Sequence, residues 1–357
     1  MFNEEIWNQK TLLKVVMKPR IEYVYASALL ISILQIVIYF TNLECEVEGW
    51  GKESIRNISL YISDVNAQIF PKDFCQAYSM LLIVVCSAPA NTNARQAVRE
   101  TWGSQKTVLG ERIELVFLMG KALEPSVQGA ILAESQQFND IIQEDFTDSY
   151  YNLTLKSTLM LKLASSNCMD MSRFLFKIDD DMFVNIPKLM RLLIERNNSE
   201  NVLLGKMMCR TQPIKDPTSK WYCPAYMFNN TYFPNFLSGT GYLMSLDVTK
   251  KLYNAALTIP LIHLEDVYIT GMCAKNAGIV PETVFEFSTG YFEDESCELK
   301  NLITIHYFTP DRMRQTFQTL NKPGSFEKCH EPIFKPTAWL RTTLFLPLAR
   351  SRRKRIC

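Results

Sequence analysis

Apolar runs alternate with amphipathic segments along the chain after residue 79. Residues 80–86 (MLLIVVC) are continuously apolar, which is typical of a strand buried on both faces of a sheet. Similar runs follow at 113–119 and 174–178, and residues 154–167 place their apolar side chains at helical spacing. Strands and helices that alternate in this way predict an α/β domain, in which a mostly parallel sheet is flanked by helices.

Weaker patterns fill the intervals between these runs. Residues 91–102 predict a helix that begins with a capping polar residue, and residues 127–138 predict another helix. Residues 141–142 indicate a short strand. The segment 205–245 is richer in Pro, Tyr and Trp, which indicates loops and short strands. After residue 310 the pattern weakens.

One apolar stretch near the N-terminus is long enough to cross a bilayer. Residues 23–40 (YVYASALLISILQIVIYF) carry no charge over 18 positions, and at helical rise they span about 27 Å. Basic residues precede the stretch and acidic residues follow it, which favours a cytoplasmic N-terminus. These residues are Lys10, Lys14, Lys18 and Arg20 before it, and Glu44, Glu46 and Glu48 after it.

A retained signal anchor is the favoured interpretation of this stretch. A cleaved signal peptide usually has a shorter apolar core that ends in small residues, and residues 42–44 (NLE) fit cleavage poorly. A buried soluble helix is a further alternative. An anchor in this orientation would place the chain after about residue 41 in the lumen.

The rest of the chain carries features of the secretory pathway. All ten cysteines follow the apolar stretch, which permits disulfides while leaving their pairing open. N-glycosylation sequons lie at Asn57, Asn152, Asn197 and Asn229. The predicted divisions are a cytoplasmic tail (1–20), a signal anchor (21–40), a lumenal stem (41–78), a globular domain (79–335) and a basic tail (336–357).

Composition changes this picture little. The chain of 357 residues is 47% hydrophobic, which is ample for a core and one membrane segment. Its formal net charge of +1 argues against nucleic-acid binding, which requires a basic field.

The acidic triplet Asp179-Asp180-Asp181 ends one apolar run and precedes another. Alternate side chains of an extended segment share a face, so Asp179 and Asp181 can converge while Asp180 points away. Two hard oxygen ligands beyond a buried strand suit Mn²⁺ or Mg²⁺, which would bridge a phosphate. The alternative is an acidic turn that caps the next helix.

Seven motifs occur in an order that resembles a known enzyme family. They are RQAVRETWG (95–103), VFLMG (116–120), EDFTDSYYNLTLK (144–156), KIDDDMFVN (177–185), KWY (220–222), FLSGTGYLMS (236–245) and EDVYITG (265–271). Together they resemble the β1,3-glycosyltransferases, which include β1,3-galactosyltransferases, β1,3-N-acetylglucosaminyltransferases and, more distantly, Fringe. The resemblance covers about residues 80–310. It implies a GT-A fold, a type II Golgi membrane topology, a UDP-sugar donor and an inverting reaction.

The resemblance also implies roles for individual residues. Metal ligands would be Asp181, Asp179 and His306, although a strand histidine is otherwise more often a core residue. Donor contacts would come from Arg95, Arg99, Asp145, Lys156, Asp179 and Asp180. Asp266 would be the catalytic base, oriented by Glu265, with a helix N-cap as the alternative. Acceptor contacts would come from Trp221, Tyr222, Gly239, Gly241 and Tyr242.

These expectations lead to a functional hypothesis. A Golgi β1,3-glycosyltransferase that uses UDP-galactose is favoured, with UDP-N-acetylglucosamine and UDP-N-acetylgalactosamine as competing donors and a glycolipid or glycoprotein glycan as acceptor. Residues 233–236 read FPNF where relatives often show Tyr-Pro-Pro-Tyr, which weakens any inference about the acceptor. A non-catalytic lumenal glycan-binding protein and a metal-dependent phosphohydrolase are the alternatives from other classes.

Overall fold

The computed structural model describes residues 23–35, 44–62, 67–196, 200–290 and 300–322. The chain divides into two units, Met1–Glu46 and Val47–Cys357. In the first unit, residues 23–35 are helical. Among the described residues, no helix combines the length and apolar character needed to cross a bilayer. The two ends of the predicted anchor (21–22 and 36–40), both predicted tails and the Asn197 sequon lie outside the described residues. The anchor, the tails and this sequon remain predictions.

A central sheet organises the second unit. Its strands, with a small second sheet, are β1 (Ala67–Ile69), β2 (Ser79–Cys86), β3 (Thr107–Val108), β4 (Glu111–Lys121), β5 (Ile141–Thr147), β6 (Ser172–Asp179), β7 (Phe183–Val184), β8 (Leu203–Met208), β9 (Phe236–Ser245), β10 (Glu282–Thr283) and β11 (Thr304–Ile305). The order across the main sheet is β1-β5-β4-β2-β6-β9-β8-β10, with β3 paired to β4. Strands β7 and β11 form the second sheet.

Helices cover both faces of the main sheet. They are α1 (Ser59–Ile62), α2 (Thr92–Glu100), α3 (Pro125–Phe138), α4 (Leu153–Asn167), α5 (Ile186–Glu195), α6 (Leu246–Ala256), α7 (Ala274–Asn276) and α8 (Pro310–Leu320). A π-helical segment, Val267–Cys273, leads directly into α7. The core is split accordingly: Leu82 and Val84 of β2 pack with α4 and α6, whereas Leu81, Ile83 and Val85 pack with α2 and α5. The predicted strand buried on both faces is therefore confirmed.

The sheet is parallel in one half and mixed in the other. Strands β5, β4, β2 and β6 are parallel neighbours, as predicted. Strand β9, however, runs antiparallel to both β6 and β8. The prediction of loops and short strands over 205–245 is wrong for β9, which has ten residues. Gly239 and Gly241 lie inside this strand, and glycines at such positions often mark a close approach of other groups.

Other elements largely follow the sequence pattern. The helices predicted near 127–138 and 154–167 are α3 and α4. The strand expected around His306 is shorter, since only β11 pairs. Helix α8 forms where the apolar pattern weakens: the Thr309 side chain accepts the Arg312 N–H, and Pro310 occupies the first turn, which is favourable at a helix start.

The segment predicted as a stem belongs in part to the folded unit. Trp50 is buried, and its indole N–H donates to the carbonyl of Tyr151 at 2.9 Å. Ile58 and Ile62 join the core beside α4, and β1 extends the sheet by pairing with β5. Apolar side chains spaced irregularly in a polar segment gave no periodic signal, although they supply this packing.

Disulfides, which the cysteine content permits, are present among the described residues. Cys75, just before β2, is bonded to Cys168 at the end of α4. Cys209 also takes part in a disulfide. The first of these bonds joins segments that are 93 residues apart in sequence.

Candidate active site

The acidic triplet lies where β6 ends, at the carboxyl edge of the parallel strands. β6 ends at Asp179, which pairs in register with Cys86 at the end of β2. In open parallel sheets, ligands bind beyond this edge. The triplet therefore occupies the kind of position that its sequence context predicts.

Asp180 attaches the triplet to the loop after β2. Its buried carboxylate accepts hydrogen bonds from the Ser87 hydroxyl at 2.6 Å and from the Asn91 amide at 3.0 Å. Burial raises the pKa of Asp180, and these two hydrogen bonds oppose the shift. Asn91 is the N-cap residue of α2 but makes no side-chain cap bond, because its amide is turned toward Asp180.

Asp179 faces a buried lysine on its own strand. The Lys177 ammonium donates to Oδ1 of Asp179 at 2.6 Å, since side chains two positions apart share a face. The lysine side chain is 3% exposed and that of Asp179 is 35% exposed. Desolvation raises the pKa of Asp179 to about 6; Lys177 opposes the shift, while Asp181 and Glu265 add to it.

Asp181 lies beside His306, although 125 positions separate them in sequence. Oδ2 of Asp181 is 3.1 Å from Nε2 of His306. The pairing of β7 with β11 brings the two segments together, and the Phe308 N–H donates to the Asp181 carbonyl at 2.9 Å. The Asp181 side chain is 46% exposed, so its carboxylate remains accessible.

The predicted metal ligands are only partly brought together. Across the described residues, no three His, Cys, Asp or Glu side chains are grouped closely enough to hold a metal ion. Asp179 is turned toward Lys177, which leaves Asp181 and His306 as the adjacent pair. A carboxylate oxygen and an imidazole nitrogen suit Mn²⁺. The three-ligand set stays a prediction.

Glu265 and Asp266 begin the helix that contains the π-helical segment. Asp266 accepts the Val267 N–H at Oδ1 (2.9 Å) and the Gly239 N–H at Oδ2 (3.1 Å), so it caps its helix and also contacts β9. Desolvation raises the pKa of Asp266 to about 6, and the charge of Glu265 adds to the shift. A carboxylate with this pKa is suited to accept a proton near neutral pH.

The central part of β9 forms the floor beneath these two carboxylates. A Cβ on Gly239 would lie 3.2 Å from both the Asp266 Cβ and Glu265 Oε2, whereas one on Gly241 would meet its nearest atom at 3.5 Å. Tyr242 is fully buried and donates its hydroxyl hydrogen to Glu265 Oε1 at 2.6 Å. The predicted stacking of Tyr242 on a sugar does not fit this burial.

The structure brings the two acidic motifs into one site. Lys177 donates both to Asp179 and to the carbonyl of Gly239, and the N–H of the same glycine donates to Asp266. Glu265 also contributes to the raised pKa of Asp179. The donor-side and base-side carboxylates predicted from separate motifs are therefore neighbours at the carboxyl edge of the sheet.

Arg95 and Arg99 have protein partners for their guanidinium groups. Arg95 is fully buried, forms a two-point ion pair with Glu134, and donates to the Ser87 hydroxyl and the Ala88 carbonyl. Arg99 pairs with Glu134 and Asp140. Arg95 thus supports the loop that holds Asp180. Arg99 is paired with α3 and with Asp140, the residue before β5, so a direct donor contact does not fit either arginine well.

Lys156 and Asp145 are placed differently from each other. Lys156 is buried, pairs with Asp148 at 2.8 Å and donates to the Ser87 carbonyl at 3.0 Å, so it also supports the loop after β2. Asp145 is about half exposed and pairs with Lys121 near the outer part of the sheet. Their contact with a donor stays a prediction.

Exposed aromatic side chains lie at the margin of the site. Trp221 is 52% exposed and Tyr150 is 41% exposed, and the Lys220 ammonium lies over both rings. Desolvation is the main cause that raises the pKa of Tyr150 to about 12, and the charges of Asp266 and Asp179 add to the shift. The Tyr150 hydroxyl therefore lies near these two carboxylates. Tyr222, in contrast, is buried and offers no open face for stacking.

The described sequons differ in accessibility. Asn57 and Asn229 are exposed. The amide of Asn152 donates to the Thr147 carbonyl, and Thr154 of the same sequon is fully buried and bonded to the Ile262 carbonyl. Glycan occupancy at all these positions stays a prediction.

Sequence reasoning missed three residues that the site uses. Lys177 interrupts the apolar run at 174–178, and a lone charge in a buried strand was the available signal. Asp148 accepts both the Gly120 N–H and the Lys156 ammonium. Tyr150 belongs to the same motif, but nothing in its spacing indicates proximity to Asp266.

Comparisons with known proteins decide the family. The galactosyltransferase family profile matches residues 93–284, which is more than half of the chain. This chain belongs to the galactosyltransferase family. Human beta-1,3-galactosyltransferase 1 is 35% identical over 242 residues, covering 68% of this chain and 74% of the relative. Beta-1,3-galactosyltransferase 5 of Pan paniscus is 32% identical over 265 residues, covering 73% of this chain and 87% of the relative.

Membership establishes the class of enzyme. This galactosyltransferase-family chain is a hexosyltransferase of the β1,3-galactosyltransferase group, and the family implies a UDP-sugar donor. Solved structures add little. The bifunctional glycosyltransferase WbbM matches with a TM-score of 0.39 at 11% identity over 70% of this chain and 51% of its own. A glycosyltransferase involved in the glycosylation of the major capsid of PBCV-1 matches with a TM-score of 0.37 at 11% identity, covering 66% of this chain and 98% of its own. These scores are too low to carry an argument.

Proposed function

We propose that this protein is an inverting β1,3-galactosyltransferase of the GT-A fold, which moves galactose from UDP-galactose to the 3-hydroxyl of a glycan on glycolipid or glycoprotein. The observation that carries this proposal is the proximity of two acidic motifs, Asp179–Asp181 and Glu265-Asp266. Asp179 and Asp266 are linked through Lys177 and Gly239 at the carboxyl edge of the sheet. A transfer with inversion requires a leaving-group site and a base on opposite sides of one carbon.

Asp266 is the proposed base. The acceptor oxygen attacks the anomeric carbon, the bond from that carbon to the β-phosphate oxygen breaks, and the hydroxyl proton passes to the Asp266 carboxylate. The products are the β-linked glycan, UDP and protonated Asp266. Its hydrogen bonds from Val267 N–H and Gly239 N–H fix the carboxylate, and Glu265 keeps its own orientation through Tyr242. Positioning of this kind lowers the entropic part of the barrier.

The donor side is built from the triplet and the loop after β2. Asp180 is held by Ser87 and Asn91, so the loop after β2 and the end of β6 are joined into one surface for the nucleotide. Asp181 and His306, with Asp179 nearby, are the residues that would hold Mn²⁺ or Mg²⁺. When bound, such a cation neutralises charge on the departing diphosphate.

A lumenal location in the Golgi membrane completes the proposal. The uncharged stretch at 23–40 with basic residues before it supports a single-pass type II anchor. The disulfide between Cys75 and Cys168 is compatible with an oxidising compartment. Protease protection of sealed microsomes tests the topology: a protected domain after residue 41 is expected, and cleavage of that domain without detergent contradicts it.

Donor turnover is the direct test of the activity. The detergent-solubilised full-length chain is incubated with Mn²⁺, a panel of UDP-sugars and a panel of terminal glycan acceptors, and UDP release and product linkage are measured. UDP-galactose with a β1,3 product is expected. Preference for UDP-N-acetylglucosamine or UDP-N-acetylgalactosamine would correct the donor, while folded protein that turns over no donor would reject the assignment.

Replacement of the base separates a transferase from a binding protein. Asp266→Asn keeps the size of the side chain but only one of its two backbone hydrogen bonds, because an amide nitrogen cannot accept. It also removes the proton acceptor, so transfer should fall by about 10²- to 10⁴-fold while UDP affinity is retained. Asp170→Gln, at an exposed carboxylate after α4, removes a charge without creating an N-glycosylation sequon; it is the control and should keep full activity. An active Asp266→Asn enzyme would refute the assigned role.

A further inference from the structure

Lys177 is a buried cation at the centre of the site, and the proposed reaction assigns it no part. It lies in β6, opposite Tyr242 of β9 and Val84 of β2, and its side chain is 3% exposed. A buried ammonium is costly unless it is paired and hydrogen-bonded. An apolar side chain would fill this position in the strand at lower cost, so the charge calls for a role other than packing.

The hydrogen bonds of Lys177 extend in two directions. One ammonium hydrogen is donated to Oδ1 of Asp179 at 2.6 Å, on the side of the acidic triplet. Another is donated to the carbonyl of Gly239, on the antiparallel neighbour β9. The ring of Tyr242 lies 5.8 Å from the same nitrogen. Burial alone would lower the pKa of Lys177, but Asp179 and Glu265 outweigh it and raise that pKa, so the group stays charged.

Gly239 transmits this contact to the base. Its carbonyl accepts from Lys177, and its N–H donates to Oδ2 of Asp266 at 3.1 Å. A side chain here would crowd Asp266 and Glu265 at 3.2 Å, so the absence of a Cβ lets the backbone of β9 approach the base. A shift of the Gly239 carbonyl would turn the attached backbone and move the N–H that fixes the base.

We propose that Lys177 is a positioning residue that couples the donor-side carboxylate Asp179 to the catalytic base Asp266 through the backbone of Gly239. This inference rests on the proposed function, since it assigns Asp266 as the base. Lys177 acts through these groups and contacts no substrate. Its loss should therefore slow the chemical step more than it weakens nucleotide binding.

The test compares Lys177→Met with Lys162→Met in the full-length chain. Lys162 is the matched control, because its ammonium also donates to a backbone carbonyl, that of Ile62 at 2.9 Å. For Lys177→Met we expect kcat to fall about 30-fold or more, with UDP affinity by calorimetry changed less than about threefold. Lys177→Arg, which restores the charge, should recover part of kcat. Lys162→Met should keep wild-type kcat.

Several outcomes would overturn the inference. A folded Lys177→Met enzyme with wild-type kcat would do so, as would loss of UDP affinity with kcat unchanged, since Lys177 would then serve the donor alone. If Lys177→Met does not fold, Lys177→Met/Asp179→Asn removes both charges of this ion pair. This double variant is compared with Asp179→Asn: about tenfold lower kcat is expected, and equal kcat overturns the inference. A wild-type chain without transfer would instead refute the proposed function.

Discussion

The hydroxyl of Tyr242 donates a 2.6 Å hydrogen bond to Oε1 of Glu265, and both residues are buried. Tyr242 belongs to β9 and Glu265 begins the helix that carries the proposed base. The bond therefore fixes the start of that helix against the central sheet. A buried carboxylate that loses its donor bears the full desolvation cost.

Tyr242→Phe should weaken both the fold and catalysis. Removing the hydroxyl leaves Glu265 short of a donor, so we expect a loss of about 1–3 kcal/mol of stability and about tenfold lower kcat/KM. Urea unfolding and UDP-release kinetics measure the two effects. Tyr268→Phe is the control, because its buried hydroxyl donates to the carbonyls of Ala256 and Ile259. It should lose stability without a matching loss of kcat/KM. Equal kinetic effects would contradict the role of Tyr242.

The sequence predicted those parts of the fold whose signal is local. Residues 80–86 read as a doubly buried strand because every position is apolar, and Asp179–Asp181 read as a ligand site because no packing requires three adjacent charges. Asn91 is recognisable in sequence as a polar residue at the start of a helix, but its amide donates to Asp180, which is 89 positions away. Such a partner follows only from the pairing of β2 with β6.

The remaining site depends on contacts between distant segments. Tyr242 could be interpreted as an aromatic that stacks on a sugar, yet it is fully buried and its hydroxyl is bonded to Glu265. Gly239 and Gly241 read alike in sequence, whereas only Gly239 is approached within 3.2 Å by Asp266 and Glu265. Arg95 could be interpreted from sequence as a solvated or phosphate-binding cation, whereas in the structure it forms a buried ion pair with Glu134 of α3. The periodicity of apolar positions carries no information about these contacts between distant segments.

Gly239→Ala and Gly241→Ala should differ sharply in activity. A Cβ on Gly239 would meet Asp266 Cβ and Glu265 Oε2 at 3.2 Å, so the carboxylates must shift, and we expect about 10²-fold lower kcat. On Gly241 the nearest atoms lie at 3.5 Å, which is ordinary contact, and activity should stay within about threefold. Transfer assays on the two purified variants measure this. Similar losses in both would show that space above Gly239 is not what limits the base.

The pH profile should report the ionisation of Asp266. Because its pKa is raised to about 6, the carboxylate is charged above that pH and becomes protonated below it. We therefore expect kcat/KM to be full near neutral pH and to fall as the pH drops through about 6. In Glu265→Gln the neighbouring negative charge is gone, so the acid limb should move to lower pH even though the maximal rate falls. An acid limb that stays in place would contradict the coupling of the two carboxylates.

Asp181→Ala and His306→Ala should weaken divalent-cation binding. Each removes one member of the adjacent pair of candidate ligands, so the Mn²⁺ concentration for half-maximal activity should rise at least about tenfold. Manganese binding followed by electron paramagnetic resonance, in the presence of UDP, gives a readout independent of turnover. Asp170→Ala, at the opposite end of β6, is the control. Unchanged Mn²⁺ affinity in both variants would remove Asp181 and His306 from the metal site.

Trp221→Ala should impair acceptor binding while leaving donor binding intact. The indole is 52% exposed at the margin of the site, and an aromatic face suits the C–H side of a pyranose. Loss of one such stack, worth about 0.5–1.5 kcal/mol, should raise the acceptor KM about two- to tenfold, with the donor KM unchanged. Trp221→Phe should restore most of the affinity. Tyr78→Ala is the control, because this exposed ring (54%) precedes β2 at the opposite edge of the sheet and should leave both constants unchanged. An acceptor KM unaffected by Trp221→Ala would place the acceptor elsewhere along the carboxyl edge.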